Sequence, residues 1–373
     1  YMRVTVICDV LGEANNGTTL AALNLIRYLR EKGHTVTVVA PGKQSDIAHI
    51  EVPTLNLGHF CNEILRQNGV CLAKVDKTIL ENAIRGADVV HLLLPFPMSW
   101  AAIKITQKYG IPCTASFHCQ AENITAHIGL MNNRLVSHWI YKAFYRKVYQ
   151  YCAAVHYPTD FIRNVFESNT HPTHAYVISN GVNDMFVPPE HREAHEKFTI
   201  LCSGRYSREK AQGQLIRAVA KLPYKDKVHV IFAGDGPRKA HLKKLAKKYG
   251  VDCEFQFFSR PELLKRLQNA DLYVHTALIE IEAIACMEAI CCGLVPIICN
   301  SPRSATRFFA VGDKTLFEPF HTRDLADKID YWYTHPAEKE AESRAFDSLR
   351  GRFSQQSCME KMEKMLMEAS KSR

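Results

Sequence analysis

DLYVHTALIEIEAIACMEAICCGLVPIIC, residues 271–299, reads as strand, loop, helix and strand in succession. Asp271 to Leu278 is apolar and partly β-branched, as a buried parallel strand requires. Glu280 and Glu282 follow in a short loop, and Ala283 to Cys292 is a helix-forming run. Gly293 can supply the left-handed residue that stops the helix, and Leu294 to Cys299 is the next strand. A unit of this kind belongs to an open parallel α/β sheet.

Its acids are placed for ligand binding. Glu280 falls at the carboxyl end of a parallel strand, where ligands of open α/β sheets bind. Amides of the loop and first helical turn, near Ile284 and Ala285, point into the same crevice and suit a phosphate. Glu288 lies eight positions after Glu280. That is about one turn beyond those amides, within reach of hydroxyls attached to the phosphate. An acid for sugar hydroxyls, amides for a phosphate and a second acid for a ribose describe a nucleotide-sugar site.

Upstream, the strand Phe198 to Ser203 runs into Gly204-Arg205-Tyr206-Ser207-Arg208-Glu209-Lys210. Arg205 and Lys210 would bring two cations to a diphosphate; on its own the loop reads as a solvated basic turn. The strand Val228 to Ala233 opens into Gly234-Asp235-Gly236-Pro237, and the basic helix after it reads as a solvated face. Near the start come a strand from Met2 to Val10, a small-residue loop Asn15-Asn16-Gly17-Thr18-Thr19, a helix from Leu20 to Lys32 and the strand TVTVVAP. This is a Rossmann-like βαβ order without G-x-G-x-x-G, which speaks against a dinucleotide redox cofactor. The strand Cys113 to Phe117 places His118 at its carboxyl end, with Glu122 a further candidate.

Residues 134–151, RLVSHWIYKAFYRKVYQY, combine basic and aromatic residues. On a helix, His138, Lys142 and Arg146 stack, Trp139, Ile140, Phe144 and Val148 form an apolar stripe, and Tyr141, Tyr145 and Tyr149 line a third face. Such a surface suits anionic lipid headgroups, although charge pattern alone favours an ordinary helix packed on a sheet with a solvated basic face.

With 373 residues, 47% hydrophobic and 23% charged, the chain fits a globular protein of two domains. No run of about 18 apolar residues predicts a spanning helix, and VTVICDV alternates like a strand rather than a signal peptide. Thirteen cysteines, an odd number without paired metal spacings, read as buried thiols of a reducing, cytoplasmic compartment. The net charge of +9 fits nucleic acid, an acidic membrane surface or anionic substrates, and no nucleic-acid motif is present.

Glu280 with Glu288, ending in MEAICCGLVPII, resembles the E-x7-E element of family-4, retaining GT-B glycosyltransferases. Four further elements in matching order carry the resemblance: Asn16-Gly17, Asn180-Gly181-Val182, Arg205 with Lys210, and Gly234-Asp235-Gly236. There are departures. The family commonly has Glu-Gly-Phe-Gly where this chain has Glu280-Ile281-Glu282-Ala283, a glycine where Ala211-Gln212 follows Lys210, and an aspartate in place of Asn183.

The resemblance implies an α/β, GT-B fold: two Rossmann-like domains facing a cleft. Residues 1–176 would be the acceptor domain, 177–350 the nucleotide-sugar domain, and 351–373 a helix packing back on the first. It implies retaining, metal-independent transfer without a cofactor. Arg205, Lys210 and helix amides would stabilise the departing diphosphate, Glu280 would hold donor hydroxyls, Glu288 the ribose, and His118 would lie beside the sugar. Gly17, Gly204, Ser259, Glu282, Ala283, Ile284 and Ala285 complete the donor set, and Phe258 to Arg260 approach the base. Ser301 to Thr306 would line the crevice.

FHCQAENITAHIGL, the basic-aromatic helix and EIEAIACMEAICCGLVPII with SPRSAT are most similar to family members that glycosylate membrane lipids. They imply a UDP-hexose donor, glucose or galactose, a lipid acceptor such as diacylglycerol or ceramide, and cytoplasmic enzyme on the inner face of the membrane. Trp139, Lys142 and Arg146 would then touch anionic lipid. A soluble or polysaccharide acceptor, an epimerase of the same fold and a non-catalytic sensor remain alternatives.

Overall fold

The computed structural model describes residues 1–9, 17–42, 47–67, 72–127 and 129–372. Two compact units emerge: Tyr1–Asn180 with Ser357–Arg373, and Gly181–Gln356. The expected limits at 176 and 350 fall a few residues short of these.

The first unit runs β1 (Arg3–Ile7), α1 (Gly17–Glu31), β2 (Thr35–Pro41), β3 (Ile50–Val52), α2 (His59–Gln67), α3 (Lys77–Ile84) and β4 (Val89–Leu92). It continues with α4 (Pro97–Tyr109), β5 (Cys113–Ser116), α5 (Ala121–His127), α6 (Arg134–Lys147), β6 (Ala154–Tyr157), α7 (Asp160–Asn169) and β7 (Ala175–Val177). Its seven strands form one sheet in the order β3-β2-β1-β4-β5-β6-β7, and the pairings are parallel. The strands are apolar runs because helices cover both faces of such a sheet. Local signals set the helix limits: Pro97 opens α4, left-handed Gly110 (φ 62°) closes it, and the Thr159 side chain caps α7.

The second unit runs β8 (Phe198–Ser203), α8 (Gly213–Val219), β9 (Val228–Ala233), α9 (Lys239–Tyr249), β10 (Cys253–Gln256), α10 (Arg260–Asn269), β11 (Leu272–His275) and β12 (Ile279–Glu280). Next come α11 (Ile284–Cys291), β13 (Pro296–Cys299), β14 (Arg303–Ser304), β15 (Leu316–Phe317), α12 (Thr322–Thr334), α13 (Pro336–Ala345) and α14 (Asp347–Arg352). Six strands make a sheet in the order β10-β9-β8-β11-β13-β15, while β12 pairs with β14 apart from it. The strand expected over residues 271–278 therefore ends at His275, and Glu280 sits on the separate β12–β14 ribbon.

The last helix, α15 (Gln355–Ser370), buries Cys358, Met359, Met362, Met365, Leu366 and Ala369. Its apolar face joins the core of the first unit with residues of β1, α1 and β2. Truncating one such residue, Leu366 to alanine, costs about 2–5 kcal/mol on general grounds. No helix among the described residues is long and apolar enough to cross a membrane.

Candidate donor site

The loop after β8 is held by the turn after β9. A Cβ on Gly234 would lie 2.1 Å from the Gly204 carbonyl oxygen, and one on Gly236 would lie 2.6 Å from the Tyr206 oxygen. Only glycine lets the two backbones approach so closely. Hydrogen bonds complete the contact: Gly204 N–H to Ala233 O (2.9 Å), Tyr206 N–H to Asp235 O (3.0 Å) and Arg238 N–H to Tyr206 O (3.0 Å). The loop's far end is tied to the β11 side, where Leu278 N–H donates to Glu209 O (2.7 Å) and the Thr276 hydroxyl to Lys210 O (2.7 Å). Arg205 and Lys210 are thus presented from a backbone fixed at both ends.

Lys210 forms a direct ion pair with Glu280, and His275 Nε2 stands 3.2 Å from the same carboxylate. Burial alone would push the Glu280 carboxyl up, but the Lys210 charge and the His275 hydrogen bond outweigh it and hold the group down at about 2. Burial opposes the charge on Lys210 too, and Glu280 reverses that, leaving the ammonium raised above its ordinary value. His275 is itself buried, stacked beside Tyr273 on β11.

Glu288, on the second turn of α11, is 2% exposed and accepts from Arg260 Nη2 at 2.7 Å. Burial pushes its carboxyl up and the Arg260 charge only partly offsets this. Arg260 lies over the Phe186 ring at 4.7 Å. Ser259 caps α10 in a reciprocal capping box with Glu262, its hydroxyl oxygen accepting from the Glu262 N–H at 3.4 Å. Glu282 is buried.

Ala283 precedes α11 in left-handed conformation (φ 67°) and offers no side-chain cap, so the first-turn amides of Ile284 and Ala285 are left for another acceptor. Ala211 is left-handed as well (φ 48°). These alanines occupy two of the three places where the family pattern carries glycine; the third, Ile281, does not have left-handed backbone. Both alanines thus hold a conformation that glycine adopts at least cost.

In the first unit, Gly17 opens α1, and a Cβ there would meet nothing within 4 Å; Asn15 and Asn16 lie outside the described residues. His118 follows β5, its ring edge-on to His156 at 6.0 Å. Burial, then the neighbouring His156 and His91, keep its imidazole well below the ordinary range, hence neutral. Glu122 accepts from the Tyr141 hydroxyl at 2.7 Å, which spends it on anchoring α6.

The faces of α6 differ from the expected ones. Ser137, Tyr141, Phe144 and Val148 are buried, whereas Leu135 (82%) and Trp139 (71%) are exposed with Lys142 and Arg146. Trp139 and Phe144 are five positions apart, which on a helix puts them on different sides. His138 leaves the basic row too, because its Nδ1 pairs with Asn169 Oδ1 at 2.9 Å.

Residues 15–185 match the family described as Glycosyltransferase Family 4, and residues 174–345 match Glycosyl transferases group 1, leaving no gap from 15 to 345. The chain belongs to the family-4 glycosyltransferases. Its GT-B fold is shared with Anabaena HepE, solved with UDP-glucose, at 13% identity over 99% of this chain and 100% of that one, with a TM-score of 0.77. A segment covering 42% of the chain is 45% identical to 99% of the solved catalytic domain of cholesterol-alpha-glucosyltransferase from Helicobacter pylori, with a TM-score of 0.41. Among curated relatives, a GDP-mannose-dependent alpha-mannosyltransferase of Corynebacterium glutamicum is 24% identical (91% of this chain, 80% of the relative). The alpha-monoglucosyldiacylglycerol synthase of Streptococcus pneumoniae is 22% identical (80% and 71%).

This glycosyltransferase also holds polar groups that sequence reasoning missed. His275 is one, a strand residue whose only signal was its place at the carboxyl end of β11. Asp9, at the end of β1, is another: it accepts from the α4 amides of Met98 (2.8 Å) and Ser99 (3.3 Å) and from the Ser99 hydroxyl (2.5 Å). Its burial pushes the carboxyl up to about 7 despite those bonds. Under His118 a buried relay links His91 Nε2 to Ser116 Oγ (2.9 Å), Ser116 Oγ to His156 Nδ1 (2.9 Å) and His156 Nε2 to the Ile178 carbonyl (2.6 Å). A carbonyl only accepts, so both histidines carry their proton on Nε2.

Proposed function

We propose that this glycosyltransferase moves a hexose, glucose or galactose, from a UDP-sugar to a membrane lipid such as diacylglycerol or ceramide, with retention, giving an α-glycolipid. The observation that carries the lipid reading is the exposed row Leu135, Trp139, Lys142 and Arg146 on α6, apolar and cationic side by side. The name of the pneumococcal relative supports the same class of acceptor. UDP is supported by the HepE complex, and GDP-mannose is the competing donor named by the corynebacterial relative.

In this reading Arg205, Lys210 and the amides of Ile284 and Ala285 stabilise the leaving diphosphate. When the donor enters, the phosphate replaces Glu280 as the counter-charge of Lys210, and Glu280 turns to the sugar hydroxyls. Glu288, steadied by Arg260, takes the ribose. Neutral His118, on the first unit, can give or accept a hydrogen bond without adding charge. The acceptor hydroxyl attacks the anomeric carbon from the face the diphosphate leaves, the bond to the diphosphate breaks and the hydroxyl proton passes to the departing phosphate oxygen, so no carboxylate is assigned as a covalent nucleophile. These cations do what a divalent ion does elsewhere, so EDTA should leave the rate unchanged. The enzyme would work as a peripheral protein on the inner face of the cell membrane.

The test is a donor and acceptor panel. UDP-glucose, UDP-galactose and GDP-mannose are each offered with anionic vesicles containing diacylglycerol, ceramide or a sterol. Labelled sugar in the organic phase from a UDP donor is the expected result. Sugar recovered only in water would replace the lipid acceptor by a soluble one.

A further inference from the structure

Between α8 and α9 in the second unit lies a cavity of about 660 Å³ that the donor reading does not use. α8 packs on α9 and α12, whereas α11, bearing Glu288, packs with α14. The loop 204–212 separates the two places.

Arg208, Arg217, Arg238 and His241 line the cavity, and among the described residues none of them has an ion-pair partner. Arg217 meets Tyr249, through a 3.4 Å hydrogen bond and its ring. The four groups act on one another: burial and then Arg208 lower the Arg238 guanidinium, while burial, Arg238 and Arg217 lower the His241 imidazole. Cations gathered without a carboxylate mark a place for an anion.

Two buried polar atoms of the lining refine that anion. The Ser207 hydroxyl and Gln212 Oε1 have no hydrogen-bond partner, and both residues are less than 5% exposed (4% and 3%). Gln212 Nε2 donates to the Arg205 carbonyl at 2.7 Å, which fixes its oxygen as the free end, an acceptor in need of a donor. A bare phosphate could satisfy the cations and Ser207; the Gln212 oxygen calls for a hydroxyl as well. The wall also offers buried Leu245, and Phe320 at 65% exposure in left-handed backbone (φ 62°).

We propose that this cavity is a second ligand site, binding a hydroxyl-bearing phosphate, and that its occupancy is linked to donor binding. The link is physical. Gln212 touches the ligand on one side and the Arg205 backbone on the other, and Ser207 belongs to the same loop. Such linkage is reciprocal: whichever ligand binds first changes the affinity of the other by one factor. The group could be the headgroup of an anionic phospholipid or a free polyol phosphate.

The test uses the whole chain and three probes: inorganic phosphate, glycerol 1-phosphate, and vesicles of phosphatidylglycerol in phosphatidylcholine. Binding is measured by calorimetry for the solutes and by flotation for vesicles, with and without saturating UDP or GDP. We expect glycerol 1-phosphate to bind with the nucleotide present, more tightly than phosphate. Its affinity should fall about ten-fold or more in Arg217→Gln/Arg238→Gln. Nucleotide affinity, which reports that this variant is folded, should stay within about two-fold. Ser207→Ala, a smaller change, should weaken the same ligand in the same direction. Vesicle flotation that falls in the double variant identifies a lipid headgroup; flotation that does not, beside weakened glycerol phosphate binding, identifies a free phosphate. Complete displacement of glycerol 1-phosphate by nucleotide would assign the anion to the donor site and overturn the proposal. So would equal binding by wild type and double variant, or no binding of any probe.

Discussion

Lys210 and Glu280 neutralise each other when no donor is bound, and this pair sets the chemistry expected of single residues. Glu280→Gln keeps the shape, removes the negative charge and leaves the Lys210 ammonium without its partner. Transfer should fall by about 100-fold or more if Glu280 orients the sugar; turnover near wild type in a protein with a normal circular dichroism spectrum would refute that role. The pair also predicts a pH effect. Glu280 binds its proton less readily in the folded chain (about 2) than at its ordinary value of 4.5. Its contribution to stability is therefore complete above about pH 4.5 and is lost as pH falls toward 2. Acid melting curves of Glu280→Gln and wild type should converge across that window. Ala283 gives a second residue-scale prediction. A left-handed alanine costs more than glycine there, so Ala283→Gly should stabilise by about 0.5–1 kcal/mol, read by denaturant unfolding. The glutamate spacing and the cation spacing were legible because each pair is close in sequence, the cations in the loop after β8 and the glutamates on β12 and the adjoining α11. His275 was not, because one histidine among 17 carries no spacing signal until β11 brings it to Glu280.

At the scale of elements, α6 is where sequence and structure part. Composition identified the helix, yet its faces depend on which side meets the sheet. Tyr141 is drawn inward by Glu122 and by the rings of Phe117 and Phe166, and this rotates Trp139 outward beside Lys142 and Arg146. The correction adds Leu135 and Trp139 to the exposed cationic face of α6 on which the proposed lipid docking rests. Lys142→Glu/Arg146→Glu should weaken flotation with anionic liposomes while sparing turnover on a detergent-dispersed acceptor, and the loss should shrink with added salt. Equal losses in both assays would mean that the helix supports the fold rather than docks. The strand, helix and glycine signals served better, since apolar runs and left-handed turns depend on a few adjacent residues. The β12–β14 ribbon escaped notice because two-residue strands have no periodicity to read.

For the molecule as a whole, the two parallel sheets and the order of five motifs were readable from the chain, and the family follows from them. The sugar and its acceptor are decided by shape around a few hydroxyls, which spacing does not encode. Cationic side chains gather on the outer face of α6, along α9 and around the cavity between α8 and α9, within a chain of net charge +9. The most direct test of lipid transfer with retention is to purify the product formed from UDP-hexose and lipid vesicles and read its anomeric coupling by proton NMR. An α-linked glycolipid, absent from the Glu280→Gln reaction, is the predicted result. A β-linked product, or donor consumption with no glycolipid at all, would contradict the account.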